Sequence, residues 1–362
     1  MAAMTEQVPV TVLTGYLGAG KTTLLNRILT EDHGRKYAVI VNEFGEIGID
    51  NDLVASADEE VFEMNNGCVC CTVRGDLIKI VNGLMRRQAR GGKGAFDAIV
   101  VETTGLADPG PVAQTFFVDD EVKARTRLDS VTTVVDARHV LDRIADSREA
   151  REQIGFADQI VLNKIDLVTA PELAEVRAAI RRLNPIAPVH EAERSKVPLD
   201  AVLNRGGFDL ERITEVQPEF LNPEHGEPGH VHDEHCGHDH DHDHAHHDHA
   251  HHHHGARGHA HADQDIRGVS LSLDRPVDGR KVTAWLNDLL QRRGPDILRA
   301  KGILDVQGED KRLVFQAVHM ILEGELQRPW GADERRWSRM VFIGRHLDEA
   351  ELKRGFEACA AA

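Results

Sequence analysis

The chain has 362 residues, more than the roughly 150 of a single typical domain, and a hydrophobic content of 41%, enough to build more than one core. Its formal charge of −17 argues against nucleic acid as a partner, because a phosphate backbone selects basic surfaces. No run approaches the roughly 20 apolar residues of a membrane span, and no basic segment followed by an apolar one opens the chain, so a cytoplasmic protein without a membrane partner is expected.

From Val8 to about Arg205, short apolar runs alternate with longer mixed segments, the pattern of strands and helices taking turns in a parallel sheet. Val8 to Thr14 reads as a buried strand, Thr22 to Leu29 as a helix, Ala38 to Val41 as a strand and Asp76 to Arg87 as a helix. Phe96 to Val101, Ser130 to Val135 and Gln159 to Leu162 read as further strands, and Ala170 to Leu183 as a helix. Between Asn222 and Asp265 the composition changes abruptly. This stretch holds 17 of the 22 histidines, and from Glu224 to Asp265 ten acidic residues face one basic one, Arg257, which accounts for −9 of the net charge. Without apolar periodicity it cannot bury a core and reads as a disordered linker. Order returns at Ile266: Val269 to Leu273, Leu313 to Val318 and Met340 to Ile343 read as strands, and Gly279 to Arg292 as a helix with Val282, Trp285, Leu286 and Leu289 on one face.

Three motifs lie at predicted strand ends. Gly15-Tyr16-Leu17-Gly18-Ala19-Gly20-Lys21-Thr22, followed by Thr23, has the spacing of a phosphate-binding loop. Its glycines let successive N–H groups turn inward, Lys21 supplies a cation and the Thr22 hydroxyl ligates Mg²⁺. Asn163-Lys164-Ile165-Asp166 follows the run Ile160 to Leu162, where a base-reading loop belongs. A carboxylate at Asp166 accepts from N1–H and the exocyclic amine of guanine, which adenine does not offer, so the nucleotide is GTP. Glu102-Thr103-Thr104-Gly105 ends another strand, which puts Glu102 near Mg²⁺, acting through water, and Gly105 near the γ-phosphate. Lys21 and Glu102 are the expected catalytic groups, with Glu43 a further candidate for orienting the attacking water. The fold expected is α/β: a P-loop NTPase with a doubly wound, mostly parallel sheet (1–221), the His/Asp-rich linker (222–265), and a smaller α+β C-terminal domain (266–362).

Only five cysteines occur, three of them in Cys68-Val69-Cys70-Cys71, which reads as reduced thiols and not as a disulfide framework. Thiolates are soft ligands suited to Zn²⁺, Co²⁺ or Cu(I). Three thiols within four residues do not all reach one ion easily, so two of Cys68, Cys70 and Cys71, completed by Glu46, Glu43, solvent or a client group, form the expected open site. A buried apolar cluster or a redox pair is the alternative for these cysteines.

Together with Val41-Asn42-Glu43-Phe44-Gly45-Glu46, Asn66-Gly67-Cys68-Val69-Cys70-Cys71, Glu102 to Pro109, Arg328-Pro329-Trp330-Gly331 and Met340 to Gly344, these motifs resemble the CobW-like family of metallochaperone GTPases over nearly the whole chain. The resemblance implies a GTPase that binds a transition metal, usually zinc or cobalt, and delivers it to a client apo-metalloprotein. The histidine segment, a set of adaptable imidazole and carboxylate donors, tilts the expected metal toward zinc. A cobalt-handling protein of cobalamin biosynthesis and a nucleotide-gated metal buffer stay open as alternatives, and so does a homodimer. His33, His139, His190, His319 and His346 read as ordinary surface or core residues.

Overall fold

A computed structural model describes residues 7–42, 61–64, 71–89, 96–208, 266–331 and 334–361; for 42, 61–64, 71–73 and 89 it describes the backbone alone. The β-branched run Val8–Thr14 forms β1, near the middle of a seven-stranded sheet. Helix α1 (Lys21–Thr30) follows, then β2 (Tyr37–Asn42), β3 (Val61–Met64), α2 (Cys71–Ala89), β4 (Ala98–Glu102), α3 (Pro109–Val118) and α4 (Asp120–Arg125). The strand β5 (Thr126–Asp136), α5 (Val140–Asp146), α6 (Arg148–Phe156), β6 (Gln159–Asn163), α7 (Ala170–Leu183) and β7 (Val189–Ala192) complete this part.

The strand order is β3-β2-β4-β1-β5-β6-β7, and every described pairing is parallel. Such a sheet must be covered on both faces, so its strands are apolar throughout. Val10, Val12, Ile99, Val101, Val131 and Ile160 pack under Leu77 of α2, Val112 of α3, Ile154 of α6 and Val176 of α7. The alternate residues Leu13, Val39, Val100, Val134 and Val161 pack under Leu24, Leu25 and Ile28 of α1 and the segment Val197 to Leu203. Because chain order reverses beside β1, the loops after β1 and β4 open next to each other at the carboxyl edge, the place where such sheets bind ligands.

The second part contains β8 (Ile266–Leu273), α8 (Gly279–Arg293), β9 (Ile297–Leu304), β10 (Lys311–Val318), β11 (Ile321–Pro329), β12 (Ser338–Arg345) and α9 (Glu349–Ala358), with an antiparallel sheet in the order β11-β10-β9-β12-β8. Val269, Leu271, Phe315, Met340 and Phe342 meet Val282, Leu286 and Leu289 of α8 and Leu352 and Phe356 of α9 on one face. Trp285 is only half-buried; it stacks on Phe356 at 6.1 Å, and Leu290 takes the fourth fully buried place on the helix. The other face contributes Leu298, Val314, Val318, Val341 and Ile343 to the cluster that contains Ile154 and Phe156 of α6, so the second sheet docks on the first unit through that helix.

Pattern reading does not foresee β3, β7, β9 and β11. The charged Arg299 and Lys301 break the apolar alternation of β9, although all eight residues of that strand are buried. The strand β11 lies at the sheet edge and is largely exposed.

Candidate nucleotide site

At the carboxyl edge, the residues after β1 form a tight cradle. Gly15 and Gly20 adopt φ values of 139° and 111°. A Cβ at Gly15 would lie 2.2 Å from the Val134 carbonyl oxygen, and one at Gly20 2.4 Å from the Asn163 amide nitrogen, so only glycine fits. Lys21 opens α1 and is 8% exposed; its ammonium donates to the carbonyls of Gly15 (2.8 Å) and Tyr16 (3.3 Å), centring the cation in the loop. The positive end of the α1 dipole adds to that field, which suits an anion.

The end of β4 is bolted to the end of β1. Thr103 N–H donates to the Leu13 carbonyl (2.9 Å), and the Thr103 hydroxyl donates to that of Thr14 (2.9 Å). This brings Glu102, 5% exposed, within reach of the Thr22 hydroxyl, which donates to its Oε1 at 3.2 Å. The neighbouring Thr104 hydroxyl is buried and makes no hydrogen bond among the described residues. Gly105 lies against the loop: a Cβ there would fall 2.7 Å from the Leu17 backbone nitrogen. The hydroxyl of Thr22, the carboxylate of Glu102 and the Thr104 hydroxyl are hard oxygen groups at the mouth of the cradle, a donor set that fits Mg²⁺ and phosphate.

The other end of the edge carries the segment Asn163 to Asp166. The Asn163 amide donates to the Ala19 carbonyl (2.9 Å), and its oxygen accepts from Ser195 N–H (2.7 Å). Lys164, at φ 63°, lays its ammonium between the Gly18 carbonyl (2.9 Å) and Asp136 Oδ2 (2.6 Å). Beyond it, the short 3₁₀ turn Ile165–Leu167 presents Asp166 exposed to solvent, and Thr23 is likewise exposed on the first turn of α1. The predicted residues Gly15, Gly18, Ala19, Gly20, Lys21, Thr22, Glu102, Gly105, Asn163 and Lys164 are thus joined directly or through one neighbour.

Sequence reasoning does not single out Ser195 or Asp136. Ser195, at φ 56°, donates its hydroxyl to the Gly20 carbonyl (3.0 Å), and the Arg27 guanidinium holds the next turn through the Val197 carbonyl (3.0 Å). Their usable signal is position: each lies at or just past the carboxyl end of a strand next to β6.

Of the expected transition-metal ligands, Glu43, Glu46, Cys68 and Cys70 lie outside the described residues, as does the histidine segment, and Cys71 is described only as the first backbone position of α2. Among the described residues no group of three His, Cys, Asp or Glu side chains is placed to hold a metal. Connectivity nevertheless constrains the two segments. Asn42 and Met64 are register partners at the ends of the parallel strands β2 and β3, and β2 is the neighbour of β4. The chain therefore leaves toward Glu43 and toward Cys68 from adjacent points on the edge that carries Glu102.

A glycine-lined cradle with a buried lysine, an acidic strand end against its threonine and an Asn-Lys-x-Asp segment beside it define a P-loop GTPase. The chain belongs to the CobW family: residues 9–191 match the CobW/HypB/UreG nucleotide-binding domain and residues 266–360 the cobalamin synthesis protein cobW C-terminal domain. It is similar to the zinc chaperone YjiA of Escherichia coli (strain K12), with 36% identity over 350 residues covering 96% of this chain and 98% of that one. The zinc chaperone CobW of Pseudomonas aeruginosa is 36% identical over 379 residues, covering 96% and 90% of the two chains. The crystal structure of Zn(II)-bound YjiA GTPase from E. coli matches with a TM-score of 0.73 and 32% identity, covering 99% of this chain and all of that one.

Proposed function

We propose that this chain is a zinc metallochaperone of the cytoplasm, in which GTP binding and hydrolysis control the loading of Zn²⁺ on an open site made of two of Cys68, Cys70 and Cys71 with Glu46, and its transfer to an apo-metalloprotein. The observation that carries this reading is the shared strand edge: Glu43 to Glu46 follow the strand whose end pairs with Glu102, and Cys68 to Cys71 follow the next strand out on the same edge. The near full-length similarity to two proteins named zinc chaperones supports the choice of metal.

In this reading Gly15, Gly18, Ala19, Gly20 and Thr23 line the phosphates, and Lys21 balances the charge that develops on them. Thr22 would hold Mg²⁺ directly and Glu102 through water, and the ion would supply electrostatic neutralisation of the phosphate charge. Glu43 orients the attacking water, Gly105 follows the γ-phosphate, and Asp166 reads guanine while Asn163 and Lys164 hold the loop that carries it. A nucleotide can shift metal affinity only through a difference between its two bound states, and segments that follow the γ-phosphate provide one. The 17 histidines between Asn222 and Asp265 collect further ions at lower affinity.

The test is a competitive Zn²⁺ titration with Mg²⁺ and either a non-hydrolysable GTP analogue or GDP. The expected result is at least about tenfold tighter binding of the first ion in the GTP-like state, with additional weak equivalents that vanish when residues 230–261 are deleted. Equal affinity in both nucleotide states overturns the coupling.

A further inference from the structure

Within five consecutive residues, helix α6 touches both halves of the molecule. Glu152 accepts from Arg345 of β12 and from Arg148 (2.6 Å). Gln153, 1% exposed, turns the other way: its Nε2 donates to the carbonyls of Gly105 (3.1 Å) and Ala107 (3.0 Å), in the loop that begins at Glu102. A methyl group at Gly155 would meet Ile266, Leu298 and Ile343 of the second sheet at 3.2–3.3 Å. The Phe156 ring lies 5.6 Å from the Arg299 guanidinium and 5.8 Å from the His319 ring.

The far end of the same loop also meets the second sheet. Asp108 caps α3 by accepting from Gly110 N–H (2.8 Å), and a Cβ at Gly110 would fall 2.5 Å from His319 Nε2. His319 lies in the two-residue turn between β10 and β11, held at φ 51°. The segment from Gly105 to Gly110 is therefore gripped at its start by a side chain of α6 and at its end by a turn of the docked sheet.

We propose that Gln153 is a positioning residue for GTP hydrolysis, and that through the Gln153 and His319 contacts the second sheet senses the nucleotide-dependent position of residues 105–110. The inference rests on the GTPase reading. One amide donor serves both carbonyls, and its Oε1 is already buried without a hydrogen bond. A displacement of the loop that opens these bonds leaves a desolvated donor unsatisfied, so loop position and α6 position move together. Because α6 is also the element on which the second sheet packs, a change at Gly105 reaches the β10–β11 turn by two routes, one through Phe156 and one through Gly110. A packed seam of this kind responds by switching arrangement, not by bending gradually.

The test combines kinetics with hydrogen exchange on the full chain. In Gln153→Met, kcat for Mg²⁺-GTP hydrolysis is expected to fall about tenfold, a barrier change of one hydrogen bond's order, while KM and GDP affinity stay within about twofold because Gln153 does not touch nucleotide. In the unaltered chain, exchange of backbone amides in residues 314–325 is expected to differ between GDP and a non-hydrolysable GTP analogue, and Gln153→Met, which removes the route through α6 and leaves the one through Gly110, is expected to diminish that difference. A variant with the parental kcat, or identical exchange at 314–325 in both nucleotide states of the unaltered chain, overturns the proposal. Should Gln153→Met not fold, the exchange comparison in the unaltered chain decides alone. Failure of the unaltered chain to hydrolyse GTP would overturn the GTPase reading, and it is visible before any variant is made.

Discussion

The nucleotide edge and the seam beneath it use charge in opposite ways. At the edge, the Lys21 ammonium is centred on the backbone carbonyls of Gly15 and Tyr16, and Asp166 stands exposed to solvent. At the seam, Asp158, Arg299 and Lys301 are each no more than 3% exposed. Arg299 forms a fork on Asp158 (2.7 and 3.1 Å), Lys301 donates to the same carboxylate (3.0 Å), and Val131 N–H closes the set (2.9 Å). Burial works against the Asp158 carboxylate, but the two cations outweigh it and hold its pKa below the ordinary range. Arg299 is also flanked by the rings of Phe156 and Phe208 at 5.6 and 4.4 Å. A buried ion pair adds little net stability over apolar packing but strongly penalises any arrangement that breaks it. The seam therefore fixes how the second sheet sits on α6, whereas the edge sets its lysine against backbone carbonyls and its aspartate against solvent.

Breaking the seam should give the largest effect. Arg299→Met removes the fork and leaves Asp158 with a single cation, and a loss of about 3–5 kcal/mol in urea unfolding is expected. A loss below about 1 kcal/mol would mean that water or a shifted Lys301 replaces the guanidinium and that the seam does not specify orientation. At the edge the opposite outcome is expected. Asp166→Asn should weaken GTP binding by about 10–100-fold, the worth of a charged hydrogen-bond pair, with no change in the unfolding midpoint. An amide at this position can accept from N1–H and donate to a carbonyl at the adjacent carbon, so xanthosine triphosphate should recover the lost affinity. Competition between the two nucleotides checks this. Equal losses for both bases would mean that Asp166 supports the loop instead of reading the base.

The same contrast explains what was legible in the sequence. The cradle is local: eight consecutive residues from Gly15 to Thr22 and two short segments at strand ends carry it, and their residue types follow from phosphate and guanine chemistry. Five of the seven strands of the parallel sheet were equally readable, because strands buried on both faces are apolar runs, whereas the four-residue β3 and β7 carry Glu63 and His190–Glu191 and offer no such run. The seam was not. Its charged partners are separated by 141 and 143 residues, and a charged pair in a strand looks like a solvated face until the second sheet covers it. Arg299 and Lys301 hid β9 for that reason. Gln153 was invisible for a related one, since a polar residue on an amphipathic helix normally faces water, and only the path of residues 105–107 turns it into a buried donor.

The smallest expected effect lies where seam and edge meet, at His319. Burial lowers its pKa; Asp108 and Glu152 oppose that shift and Arg345 adds to it. A histidine with a depressed folded-state pKa takes up its proton in the unfolded chain first, so stability falls as pH drops from about 6.5 toward the folded value. The Asp158 contribution has the other origin, a carboxylate depressed by its cations, and it is lost only at lower pH as the solution passes below the ordinary carboxylate range. His319→Gln removes the first component and leaves the second. Thermal unfolding of the two proteins should run in parallel above pH 7 and diverge below about pH 6.5, the variant losing less stability, by no more than the roughly 2–4 °C that one kcal/mol produces in a domain of this size. His190 is also depressed by burial and by Arg205, but it is common to both proteins and cancels in the difference. Curves that stay parallel down to pH 5 would mean that the β10–β11 turn opens and hydrates His319 without loosening the rest, which would separate the turn from the seam that Arg299 anchors.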